Sequence, residues 1–103
     1  MEKDLNNVIN IIVENIGPEK IILFGSRAVG NENQDSDFDL CILKKNVKHK
    51  RKMAQKIYKM LIGIKLAVDI IVETPSNFEK LKDNPFLIYN EIYKDGKVIY
   101  ERN

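Results

Sequence analysis

The chain has 103 residues, 44% hydrophobic and 31% charged, with a formal net charge of +2. These are the proportions of a soluble globular protein rather than a disordered one, and the length suits one small domain over residues 1–103, with no room for a second core. A single cysteine and a single histidine exclude a disulfide framework, a Cys-based zinc site and the usual zinc enzyme.

No stretch approaches the roughly 18 apolar residues of a membrane helix. The N-terminus, Met1-Glu2-Lys3-Asp4, lacks the features of a signal peptide, so a reduced, cytoplasmic setting is expected. Leu5, Val8, Ile9, Ile12, Val13 and Ile16 recur at helical spacing, and Gly17-Pro18 stops that helix. Lys20–Phe24 is a β-rich run expected to be buried on both faces, ending abruptly at Gly25-Ser26. One turn of helix follows at Arg27–Gly30, then a polar loop from Asn31 to Ser36.

From Asp37 the chain alternates, so Phe38, Leu40 and Ile42 share one side of a strand and Asp37, Asp39 and Cys41 the other. The basic stretch Lys44–Lys52 leads into an amphipathic helix with Met53, Ala54, Ile57, Tyr58, Leu61 and Ile62 on one stripe, closed by Gly63. A third strand is expected over Lys65–Glu73, with Leu66, Val68, Ile70 and Val72 on one face and Asp69 on the opposite one. Thr74-Pro75 starts a short helix. Asn84-Pro85 begins another over Phe86–Tyr93, Asp95-Gly96 turns, and Lys97–Tyr100 is a last strand. The alternation of helices and strands gives an α/β fold with one sheet.

The chemistry concentrates in Gly25-Ser26, Asp37-Phe38-Asp39 ten residues later, and Asp69. Side chains two apart on a strand face the same way, with Cα atoms about 6.5 Å apart, and two carboxylates there repel unless a cation or water lies between them. Hard divalent ions such as Mg²⁺ take one or two carboxylates plus substrate phosphates. An aspartate inside an otherwise apolar strand, as Asp69 is, must be paired, solvated or metal-bound. If its strand neighbours that of Asp39 in register, three carboxylates converge, as two-metal phosphoryl transfer requires. Gly25-Ser26, at a strand-to-helix turn, offers backbone N–H groups and a hydroxyl to phosphate, and Arg27 adds a cationic fork.

Three rival motifs fail on these letters. Gly25 and Gly30 have Walker A spacing, but Asn31-Glu32 stand where Lys and Ser/Thr belong. The dinucleotide fingerprint needs glycine where Arg27 stands. A calcium loop from Asp35 would need glycine at Leu40 and glutamate at Asn46.

Taken together, Gly25-Ser26, Asp37-x-Asp39 and Asp69 resemble the signature of the nucleotidyltransferase fold shared with DNA polymerase beta. The string Gly25-Ser26-Arg27-Ala28-Val29-Gly30 looks like that of the minimal nucleotidyltransferases of prokaryotes. The resemblance implies a mixed α/β sheet packed with helices, two Mg²⁺ ions on Asp37 and Asp39, and Asp69 completing the metal site and helping to activate an acceptor hydroxyl. It implies that Gly25 and Ser26 hold the terminal phosphates of the nucleotide. It also implies an antitoxin that transfers AMP from ATP to a tyrosine of a partner HEPN-type ribonuclease toxin. The chain departs from the family's frequent Gly-Ser-Arg-Ala-Arg-Gly at Val29, which removes one cation near the phosphates. A small-molecule acceptor, or a non-catalytic module that covers its partner, are the other readings. A chain this short is expected to have its acceptor presented by another molecule.

The remaining features read plainly. Lys44, Lys45, Lys48, Lys50, Arg51 and Lys52 around His49 form a solvated helix start or a docking surface. His49 there is a poor address for a buried general base. Cys41 is expected as buried packing, and Tyr58, Tyr89, Tyr93 and Tyr100 as core or interface aromatics. With a small net charge and no aromatic-basic interleaving, nucleic acid is not the expected partner. The sequence leaves homo-oligomerisation open.

Overall fold

A computed structural model describes residues 2–30 and 37–103. The loop expected at Asn31–Ser36 lies outside the described residues. Elements follow the order α1 (Glu2–Ile16), β1 (Lys20–Phe24), α2 (Ser26–Val29), β2 (Phe38–Leu43), α3 (Lys50–Met60), β3 (Val68–Glu73), α4 (Pro75–Leu81), α5 (Ile88–Asp95) and β4 (Lys97–Glu101). The four strands form one sheet in the order β3-β2-β1-β4. β1 runs antiparallel to both β2 and β4, and β2 runs parallel to β3. Parallel neighbours need a long crossover, and α3 lies on the connection between β2 and β3.

The period of two along each strand sorts the core into two layers. Ile21, Leu23, Leu40, Ile42, Ile70 and Val72 pack with Val8, Ile12 and Ile16 of α1 and with Ile57 and Leu61 of α3. Ile22, Phe24, Cys41 and Leu43 pack on the other face with Phe78 of α4 and Ile92 of α5. Burying such side chains contributes about 1.5–3 kcal/mol each, so both helical layers hold the sheet. β1 is buried along both faces, as expected from its unbroken apolar run. Cys41 is fully buried, and that burial pushes its thiol up to about 12.

Several boundaries differ from the sequence reading, each for a visible reason. β3 starts at Val68 rather than Lys65, because its ladder partner β2 starts at Phe38, opposite Val68. Asn84 does not open the helix α5. Its Oδ1 accepts from the Phe86 N–H at 2.9 Å, and its carbonyl accepts from the Leu87 N–H at 3.1 Å. This makes a separate turn, and Leu87 is extended, so the helix begins at Ile88. On α3, Ile57 and Leu61 enter the core, but Tyr58 and Ile62 are 41% and 80% exposed, so the expected apolar stripe is narrower than six residues. Tyr58 nevertheless has a structural role: its Oη accepts from the Ile70 N–H on the outer edge of β3 at 2.8 Å. Tyr89 sits edge-on to Phe78, Tyr100 packs against the first core layer, and Tyr93 is exposed.

The end of β3 carries a buried charge. Glu73 is 1% exposed. Its carboxylate accepts from Tyr89 Oη at 2.7 Å, Lys50 Nζ at 3.0 Å and the Thr74 N–H at 2.9 Å. One side chain therefore ties the starts of α3, α4 and α5 to the sheet. Burial alone would raise its pKa, but the hydrogen bonds from Tyr89, Thr74, Lys50 and Asn77 outweigh burial and hold it below the ordinary glutamate value. A lowered folded-state pKa contributes stability above the unfolded value, lost as pH falls through the folded one. Urea unfolding should therefore show Glu73→Ala destabilised by about 3 kcal/mol and Tyr89→Phe by about 1–2 kcal/mol. Glu73→Gln should lack the acid-side component of the wild-type stability curve.

Candidate active site

Three strand ends meet at one edge of the sheet: the last residue of β1 and the first residues of β2 and β3. The registers place Phe24 opposite Asp39 and Asp39 opposite Asp69. Asp39 alternates with Phe38 and Leu40, so it lies on the sheet face shared with Cys41 and covered by α4 and α5. The Asp39 and Asp69 carboxyls come within hydrogen-bonding reach of each other. Asp37, exposed just before β2, lies within electrostatic range.

Gly25 makes this close approach possible. Its backbone has φ 76° and ψ −158°, a region that is essentially glycine-only. The space a Cβ would fill is taken by the Asp39 carboxylate, with Oδ2 the first atom it would strike. The turn then enters α2, where the Ala28 N–H donates to the Gly25 carbonyl at 3.0 Å and Gly30 closes the element in the left-handed conformation. Gly25 thus stands directly beside the Asp39 carboxylate, with Ser26 next in the chain.

A hollow of about 270 Å³ adjoins the turn, lined by Gly25, Ser26, Val29, Glu91 and Asp95. Glu91 and Asp95 escaped the sequence reading. They lie four residues apart, which puts both on one face of α5, and the Glu91 charge also reaches Asp39. The signal was present in that i, i+4 spacing, but nothing in the letters says which way α5 turns its face. Val29, half exposed, gives this hollow an apolar wall. Arg27 is placed differently from expectation. Its guanidinium lies 4.1 Å over the Phe38 ring, on the α1/α3 side of the sheet, away from the hollow. Stacking on the aromatic face contributes to that position.

Electrostatically the site is loaded with like charge. Burial first, then Asp69 and Asp37, raise the Asp39 pKa above the ordinary aspartate value, and Glu91 adds to the rise. Among the described residues, no three His, Cys, Asp or Glu side chains are drawn together into a ready metal cage. The donor set fits a hard divalent cation. It offers carboxylate oxygens alone, two of them pressed together by the sheet register, beside a turn that a glycine leaves open. Asp39 and Asp69, with Asp37 in electrostatic range, would be the residues to hold it.

Comparison with known proteins identifies the family and the fold. The family model described as polymerase beta, nucleotidyltransferase, matches residues 6–103. No functionally curated protein matches the sequence. Among solved structures, a candidate nucleotidyltransferase from Sulfolobus solfataricus superposes with a TM-score of 0.70 at 20% identity, covering 97% of this chain and 79% of its own. A mutant of the MntA-HpeT toxin–antitoxin gives 0.66 at 21% identity, covering 96% and 73%. A toxin–antitoxin with AMP-PNP gives 0.61 at 22% identity, covering 95% and 73%.

A raised carboxylate pKa opposes folding above that pKa, and the penalty is relieved as pH falls through it. In metal-free buffer at neutral pH, Asp39→Asn should therefore raise the thermal midpoint by a few degrees. Mg²⁺ should stabilise the wild type and leave the variant unmoved. Gly25→Ala should lower the midpoint and abolish the Mg²⁺ response, since the new methyl displaces the Asp39 carboxylate.

Proposed function

Because the chain belongs to the polymerase beta nucleotidyltransferase family, we propose that residues 1–103 act as one Mg²⁺-dependent catalytic unit. It transfers AMP from ATP to a hydroxyl, that of a tyrosine on a HEPN-type toxin, and so serves as an antitoxin. The observation that carries this reading is the in-register pairing of Asp39 with Asp69 beside Gly25. The partner reading draws on the likeness of fold to the MntA-HpeT toxin–antitoxin and to a toxin–antitoxin solved with AMP-PNP.

Each group has a task in this reaction. Gly25 and Ser26 bind the terminal phosphates through backbone N–H groups and a hydroxyl. Asp37, Asp39 and Asp69 hold Mg²⁺, which when bound neutralises charge on the phosphates and on the transferred phosphorus. Asp69, the more exposed of the paired aspartates, orients the acceptor hydroxyl and accepts its proton. The acceptor oxygen bonds to the α-phosphorus as the bond to pyrophosphate breaks, and the two oxygens stand in line. Rate enhancement comes from positioning and from charge neutralisation rather than from a covalent intermediate.

Incubation of the protein with labelled ATP, Mg²⁺ and its toxin partner tests the proposal. Label should appear on a toxin tyrosine, and Asp39→Asn should reduce transfer at least about a hundredfold while remaining folded. Label on a small molecule instead would contradict the protein acceptor. Full protection of cells by Asp39→Asn would show that the partner is inhibited by covering alone.

A further inference from the structure

Asp69 stands at an exposed corner of the sheet. It is the second residue of β3, an outer strand that pairs with β2 alone among the described strands. On that inner side the ladder engages alternate residues of β3. The Phe38 N–H donates to the Ala67 carbonyl at 2.9 Å, and the Lys44 N–H donates to the Glu73 carbonyl at 3.0 Å. Counting by twos between them puts the backbone of Asp69 in the bonded set and turns that of Ile70 outward. The outward N–H of an edge strand ordinarily bonds to water. Here it donates to the Tyr58 hydroxyl at 2.8 Å.

Tyr58 reaches this edge from an anchored base. Ile57 beside it and Leu61 just past the end of α3 are both buried in the core, so the helix face that carries the ring is fixed. Ile70 is also buried, and its N–H has little water to turn to if the hydroxyl is removed. The strain on this corner is electrostatic. The Asp39 and Asp69 carboxyls lie within hydrogen-bonding reach, and each acts on the other as a like charge. Their repulsion works to part the start of β3 from β2. The ladder resists it from the inner side, and the bond to Tyr58 holds the strand from the outer side.

We propose that Tyr58 is a positioning residue for the carboxylate pair. By binding the Ile70 N–H it keeps Asp69 opposite Asp39, in the arrangement that receives a divalent cation. The consequence for the cation rests on the proposed function, while the hold on Asp69 rests on the strand edge alone. Tyr58 acts through the backbone of β3. The side chains of Ile70 and Val72 enter the core layer shared with α3, so Asp69, alternating with them, projects to the opposite face.

Tyr58→Phe keeps the ring and removes the acceptor. In metal-free protein, hydrogen exchange at Asp69 and Ile70 should be at least about tenfold faster than in the wild type, with a smaller change at Val72. Mn²⁺ affinity, read from the electron paramagnetic resonance of the free ion, should fall at least about threefold. Ile12→Val, a fully buried change in α1 of similar cost to the whole fold, should leave Mn²⁺ affinity at the wild-type value. It separates a local hold on Asp69 from a general loss of stability. Unchanged exchange at Ile70, unchanged Mn²⁺ affinity in Tyr58→Phe, or an equal loss of affinity in Ile12→Val would each overturn the proposal. A wild type that takes up no Mn²⁺ would instead contradict the proposed function, and the exchange rates would still decide whether Tyr58 holds Asp69 in place.

Discussion

The parallel pairing of β2 with β3 sets two aspartates side by side, and much of the molecule's chemistry follows from that contact. A ladder fixes register far more firmly than a loop can, because slipping by one residue would turn every buried side chain of β3 to the wrong face. Leu40, Ile42, Ile70 and Val72 therefore hold Asp39 opposite Asp69 through their burial. The packing of the core thus maintains a like-charge contact that would otherwise separate. Gly25 extends the same constraint, since only a residue without Cβ leaves room for the Asp39 carboxylate.

The two ends of the sheet solve the problem of carboxylates near a low-dielectric interior in opposite ways. At one end Glu73 is buried among donors and needs no ion; its hydrogen bonds tie three helices in place. At the other end Asp39 has acids around it, and Asp69, Asp37 and Glu91 add to burial in raising its pKa. The first arrangement stabilises the fold. The second is a stability liability of the kind expected where a cation is to bind. The two are joined through α5, because Tyr89 binds Glu73 and Glu91, half a turn on, faces the Gly25 hollow.

Much of this was legible in the letters, for physical reasons that can be named. Alternation around Asp37–Leu43 told which residues share a face, and the lone Asp69 in an apolar run marked it as unusual before its neighbour was known. Whether β2 and β3 are adjacent is a long-range fact, and the sequence stated it only as a condition. A guanidinium at Arg27 has a partner in the Phe38 ring that the letters do not show, because the ring comes close only when β2 pairs with β1. Glu91 and Asp95 were illegible for the same reason: helical spacing shows that they share a face but not what that face meets. Boundaries shifted where local hydrogen bonding won, as at Asn84, or where a partner strand ran out, as at Val68.

In the proposed function the sheet register builds a divalent-cation site at Asp37, Asp39 and Asp69 beside Gly25-Ser26. A titration with Mn²⁺, followed by paramagnetic broadening of backbone amide signals, tests it most directly. Broadening should begin at Gly25, Ser26, Phe38, Asp39 and Asp69 and spare Glu73 and Lys97–Glu101 at substoichiometric metal. Broadening that begins elsewhere, or that persists unchanged when Asp39 and Asp69 are both replaced by asparagine, would contradict it.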